Sequence, residues 1–150
     1  VVSLTYLTHH YVKEMAARGH GYILQTASIG AFQPSPYYAV YSATKAYVLS
    51  FSEALHHELQ GTGVSITTSC PGLTETEFHQ VADHIKPDWM KGMTMSAAEV
   101  ARISVQAMLR GDRTTVPGFS NWMTSVAAQV LPKSVVIPIA AATMKGGHAS

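Results

Sequence analysis

Of the seven tyrosines in the chain, only Tyr41 has a lysine four residues later, Lys45. On a helix that spacing stacks a phenol and an ammonium on one face. A phenol titrates near pH 10, so only about one in a thousand is ionised at neutral pH, and a fixed cation beside it favours the phenolate. Such a pair can give and take a proton as a general acid and base. Ser28 precedes Tyr41 by 13 residues and closes an apolar run, so a hydroxyl enters the same neighbourhood if a strand ends there.

Three elements must position these groups. "YILQTAS" (Tyr22 to Ser28) and "GVSITTSCPG" (Gly63 to Gly72) share one form, a glycine, β-branched or apolar residues and then a turn, and both are predicted strands. Between them, from about Val40 to Gln60, Ala46, Leu49, Ser50, Ala54, Leu55 and Leu59 recur at helical intervals until "GTG" stops the pattern. Strand, helix and strand make a βαβ unit with parallel strands, and the fold class is α/β. In such sheets ligands bind beyond the carboxyl ends of the strands, so Ser28 and the "CPG" of the second strand face one crevice.

Around this unit, Leu4, Leu7, Tyr11 and Met15 predict a helix from Val1 to about Arg18. Ser96 and Glu99 have capping-box spacing before "AAEVARISVQAMLRG", "TTVPG" offers a short last strand, and helical pieces follow at Trp122–Val130 and Lys133–Met144. No repeat and no "GxGxxG" turn occurs, and the chain reads as the second half of a nucleotide-binding sheet.

Composition narrows the function. The chain of 150 residues is 47% apolar and 13% charged, which suits one globular domain, and its net charge of +1 gives no basic face for nucleic acid. A single cysteine, Cys70, excludes an internal disulfide and a cysteine-rich zinc site and favours a reducing compartment, read here as the cytoplasm. The start has neither the charged region nor the cleavage site of a signal peptide. His9–His10 and His56–His57 are adjacent pairs that diverge on a helix, and no H-E-x-x-H occurs, so no metal is expected. The longest late apolar run, Val135 to Met144, contains Pro138 and is well short of the roughly 20 residues a membrane span needs.

The run "TASIGAFQPSPYYAVYSATKAYVLSFSEALHHEL" followed by "SITTSCPGLTETEF" resembles the classical short-chain dehydrogenase/reductase family. The resemblance extends over essentially the whole chain and is strongest from Ser28 to Phe78. It implies the carboxyl-terminal part of a Rossmann-type doubly wound parallel sheet, a βαβ core plus further helices with the amino-terminal strands missing, so that residues 1–150 are a partial single domain. The family's glycine-rich turn, its selector for NAD or NADP and its "NNAG" strand would all precede Val1, as would an asparagine that completes its proton relay.

By that resemblance the catalytic set is Ser28, Tyr41 and Lys45, with Tyr41 moving the proton, Ser28 holding the substrate oxygen and Lys45 holding the ribose. The implied cofactor is NAD(P), NADP slightly favoured, met by Tyr41, Lys45, Pro71, Gly72, Leu73, Thr74 and Thr76. Gly30, Phe32, Gln33, Tyr38, Trp89 and Met93 are the implied substrate residues, the last two in a methionine-rich substrate loop over about residues 78–95. The implied activity interconverts an alcohol and a carbonyl on a hydrophobic small molecule. Tyr37 and Tyr47 are read as packing, Glu53 as solvent-facing and Cys70 as a buried small residue. The apolar tail allows a homo-oligomer interface, plain core or peripheral membrane contact. The competing reading is an inactive fragment or a non-catalytic interaction module that lacks the nucleotide-binding half.

Overall fold

A computed structural model of the chain describes residues 1–75 and 94–144. Helix α1 (Val2–Arg18) leads into strand β1 (Gly21–Thr26), a 3-10 turn (Ile29–Phe32) and the long helix α2 (Ala39–Glu58). Strand β2 (Val64–Ser69) follows, then the two-residue strands β3 (Thr74–Glu75) and β4 (Met95–Ser96), helix α3 (Ala97–Arg110), strand β5 (Thr114–Thr115), and helices α4 (Phe119–Val130) and α5 (Lys133–Met144).

The strands β1, β2 and β5 form one parallel sheet in that order. β1 and β2 pair from Gly21↔Val64 to Thr26↔Ser69, so α2 is the crossover helix the sequence predicts. Both strands are shorter than predicted, because the backbone leaves the regular pleat at Ala27 and at Cys70 to build the loops that follow. β3 and β4 form a second, parallel pair, Thr74↔Met95 and Glu75↔Ser96, which no sequence pattern announces.

Successive side chains of β2 point to opposite faces, and helices cover both. On one face Val64 and Ile66 pack with Leu55 of α2, with Leu59 just beyond its end, and with Val12, Met15 and Ala16 of α1. On the other, the Ser69 hydroxyl meets that of Ser104 in α3 at 2.7 Å, and the Thr67 hydroxyl donates to the Asp112 carbonyl. Burial on both faces is the mark of a parallel sheet wound on two sides. A second cluster of Ala27, Ala31, Val48, Leu49 and Cys70, flanked by Leu4, Phe32 and Val116, lies at the end of the sheet where the strands finish.

Three readings change on contact with the structure. The buried line of α1 runs through Thr8, Val12 and Met15, while Leu7 and Tyr11 stand exposed. Thr8 earns its place by accepting a 2.8 Å hydrogen bond from the Gln25 amide of β1 while donating to the Leu4 carbonyl. Glu53 is not free in solvent: it accepts from the Thr114 hydroxyl at 2.8 Å and pairs with Arg113, tying α2 to β5. Tyr37 is exposed, with a φ of 68°, whereas Tyr47 packs as expected, stacked on Phe51 with its hydroxyl 2.7 Å from Thr5 of α1.

The Ser96 hydroxyl accepts from the Glu99 N–H at the start of α3, as its spacing predicts. No helix among the described residues is long and apolar enough to cross a membrane.

Candidate active site

The ladder between β1 and β2 does not stop with the strands. The Ala27 N–H donates to the Ser69 carbonyl at 2.8 Å and the Ile29 N–H to the Pro71 carbonyl at 3.0 Å. The segment carrying Ser28 is thereby laced to the segment carrying Pro71 and Gly72. Cys70 is bound in turn to β5, its N–H donating to the Thr115 carbonyl.

Ser28 adopts an extended backbone and caps the 3-10 turn, its Oγ accepting from the Gly30 N–H at 3.1 Å. A serine hydroxyl has one proton and two lone pairs. The cap uses one lone pair, and among the described residues the proton has no acceptor, although Ser28 is only 8% exposed. This is a buried donor left free for a ligand.

Tyr41 stands on the first turn of α2 and is 48% exposed. A Cβ placed on Gly30 would lie 3.6 Å from both the Ser28 Oγ and the Tyr41 ring, so phenol and hydroxyl border the same glycine. One turn further along α2, the Lys45 Nζ donates to the Thr26 carbonyl at 3.0 Å and lies 5.8 Å from the centre of the Tyr41 ring. An ammonium has three donors; among the described residues one goes to Thr26, and two remain for a ligand. The helix thus supplies the phenol and the cation, the strand end supplies the hydroxyl, and the bond between Lys45 and Thr26 ties helix to strand.

The Pro71–Thr74 loop lies alongside. The Thr74 hydroxyl donates back to the Gly72 carbonyl at 3.2 Å, and the Leu73 carbonyl accepts from the Met95 N–H at 3.0 Å. Gly72 has no room for a side chain, since a Cβ there would run into the amide of Asn121. Asn121 is 2% exposed and was not among the predicted site residues. Its only sequence signal is a polar residue inside the apolar run "GFSNWM", which composition cannot tell from a surface position. Cys70 is fully buried, and burial pushes its thiol from 9.0 up to about 12 against a Ser28 backbone hydrogen bond that lowers it, so it is a packed residue rather than a nucleophile.

Not all predicted residues gather here. Tyr38 is half-buried at the start of α2. Phe32 and Gln33 border a cavity of about 430 Å³ with Ala39, Ser42, Ala46 and Lys133, which neither Ser28 nor Tyr41 lines. Thr76, Trp89 and Met93, with most of the predicted substrate loop, lie outside the described residues. Among the described residues no three His, Cys, Asp or Glu side chains gather to hold a metal.

The ensemble fits the nicotinamide-ribose end of a dinucleotide in its donor set: spare ammonium donors, a free buried hydroxyl, an accessible phenol and a loop with no side chain at Gly72. Residues 1–86 match the short chain dehydrogenase family. The short-chain type dehydrogenase/reductase y4eK of Sinorhizobium fredii is 42% identical over 76 residues, 51% of this chain and 31% of that protein. The very-long-chain 3-oxoacyl-CoA reductase of Anas platyrhynchos is 28% identical over 148 residues, 97% of this chain and 44% of that protein. A short-chain dehydrogenase from Sphingobium yanoikuyae, solved in complex with NADPH, superposes with a TM-score of 0.69 at 26% identity, over 86% of this chain and 51% of that one. The chain spans less than half the length of these two curated relatives.

Proposed function

We propose that this chain, which belongs to the short-chain dehydrogenase family, carries the proton-transfer half of an NAD(P)-dependent oxidoreductase that interconverts an alcohol and a carbonyl. The observation that carries this reading is the meeting of three groups from two elements: the free Ser28 hydroxyl, the Tyr41 ring beside Gly30, and the Lys45 ammonium held by Thr26.

A nicotinamide dinucleotide, when bound, supplies or accepts the hydride. The remaining work belongs to the chain. In the reducing direction the Ser28 hydroxyl donates a hydrogen bond to the substrate carbonyl oxygen, where negative charge develops, and Tyr41 delivers a proton to that oxygen. In the oxidising direction Tyr41 takes the proton back. Lys45, whose Nζ lies 5.8 Å from the centre of the Tyr41 ring, would hold the ribose hydroxyls with its remaining donors. Pro71, Gly72, Leu73 and Thr74 would border the carboxamide and so set which ring face meets the substrate.

The substrate is a hydrophobic small molecule, a class in keeping with the very-long-chain 3-oxoacyl-CoA reductase of Anas platyrhynchos. NADP is favoured over NAD in keeping with the NADPH bound to the Sphingobium yanoikuyae enzyme. The test is Tyr41→Phe in the complete protein. Turnover of an aryl ketone with NADPH should vanish while NADPH binding stays within about threefold, and equal losses in both would make Tyr41 a structural residue.

A further inference from the structure

We propose that Asn121 is a positioning residue for the Pro71–Thr74 loop and, through it, for the nicotinamide end of the cofactor, an inference that rests on the oxidoreductase reading above. Asn121 lies on the first turn of α4 and is 2% exposed. Its Nδ2 donates to the Pro117 carbonyl at 2.8 Å, and the Met95 sulfur lies 4.0 Å from the same nitrogen.

The amide is flat against two glycines. A Cβ on Gly72 would come within 2.7 Å of Nδ2 and nearer still to Oδ1. A Cβ on Gly118, whose φ is +89°, would lie 3.0 Å from Nδ2 and 2.8 Å from the Met95 sulfur. Real Cβ atoms essentially never approach as closely as at Gly72, so glycine there is what lets the amide in, while at Gly118 the positive φ itself favours glycine. The slot has one wall from the cofactor loop (Gly72), one from the turn into α4 (Gly118) and one from β4 (Met95).

These walls are already joined to the loop from its other side. The Met95 N–H donates to the Leu73 carbonyl, and Thr74 pairs with Met95 across β3 and β4. Asn121 adds a packing contact at Gly72, whose carbonyl accepts from the Thr74 hydroxyl and which the β3–β4 pairing does not reach. An aliphatic side chain could fill a buried slot without the cost of desolvating an amide. A buried amide here does something filling cannot: it fixes the Pro117 carbonyl and, with it, the angle at which α4 meets the loop. Ring orientation controls hydride transfer steeply, because small misplacements at a reacting centre cost large factors in rate.

The experiment compares two probes in the complete protein, NADPH and ADP-ribose, the second lacking the nicotinamide. Dissociation constants, the fluorescence of bound NADPH and melting temperatures are measured for the parent, Asn121→Ala, Asn121→Asp, Gly72→Ala and Gly72→Ala with Asn121→Ala. Asn121→Asp keeps the shape but lacks the N–H that Pro117 accepts. Both Asn121 variants should weaken NADPH about fivefold or more and lose much of its bound fluorescence, with ADP-ribose changed less than about twofold.

Gly72→Ala should do the same by collision. Combined with Asn121→Ala it should bind NADPH no worse than Asn121→Ala alone, because the colliding atoms are gone and losses at a shared contact do not add. Equal weakening of NADPH and ADP-ribose with unchanged fluorescence, or simple additivity in the double variant, overturns the inference alone. A parent protein that binds neither probe overturns the oxidoreductase reading and this inference with it.

Discussion

Replacing Ser28 by alanine separates what its hydroxyl does for the fold from what it does for the chemistry. For the fold, the Oγ accepts one bond, from the Gly30 N–H at 3.1 Å, and caps a turn of four residues. Loss of a cap of this kind costs about 1 kcal/mol, or roughly 2–4 °C of melting temperature in a domain of about 150–250 residues. For the chemistry, the hydroxyl proton is the donor left free beside Tyr41, and removing one preorganised donor to a developing oxyanion costs about 100- to 1,000-fold in kcat.

The chemical loss therefore exceeds the structural one by about 2–3 kcal/mol, well outside the error of either measurement. The assay is kcat and KM for NADPH-dependent reduction of an aryl ketone by the complete protein, alongside urea midpoints, for Ser28→Ala and Ser28→Thr. Threonine keeps the hydroxyl, and the extended backbone at Ser28 (φ −169°, ψ 161°) suits a β-branched residue, so it should retain activity within about tenfold. A fall in kcat of less than about threefold in Ser28→Ala at an unchanged midpoint would refute the assignment.

Lys45→Met removes the ammonium that bridges Thr26 and the Tyr41 ring, and should weaken NADPH and slow turnover about tenfold or more, measured by titration and steady-state kinetics; Lys45→Arg should not rescue, since a planar fork cannot replace a compact point charge. Tyr41→Phe should abolish turnover and spare NADPH binding, as set out above. Cys70 gives an alkaline signature. Burial raises its thiol from 9.0 to about 12, so between those values the unfolded chain has lost a proton that the folded chain keeps. Its contribution to stability is full below pH 9 and falls as pH rises through that window, at about 1.4 kcal/mol per pH unit. Urea unfolding at several alkaline pH values should show this slope in the parent and a shallower one in Cys70→Ala, and parallel curves would contradict it.

The parts of the fold that follow from local pattern were readable in advance. The runs after Gly21 and Gly63, the α2 spacing and the Ser96–Glu99 cap rest on periodicity and turn chemistry confined to a few residues, and each appears where expected. Ser28, Tyr41 and Lys45 stand out for the same reason, since four residues on a helix and a strand end fix where they lie. What escaped prediction depends on partners far along the chain. Thr8 displaces Leu7 from the core because Gln25 offers it a hydrogen bond. Glu53 turns inward because Thr114 meets it. β3 and β4 are two residues each, too short for any alternation to show. Asn121 has meaning only beside Gly72 and Gly118, and nothing adjacent to it in sequence reveals that approach.

The hydrogen bonds that run past the strands, from Ala27 to Ser69 and from Ile29 to Pro71, bear on how the site comes into being. A parallel pair cannot zip from a hairpin; its strands meet only after α2 has closed the intervening loop, and non-local contacts of this kind form slowly. Since Ser28 and the segment at Pro71 sit at the far end of the same zipper, they arrive together or not at all. A slip of one residue would turn the side chains of β1 to the wrong face and break both halves at once. The protein should accordingly mature in a single step, its activity appearing in refolding with the same time constant as the sheet itself.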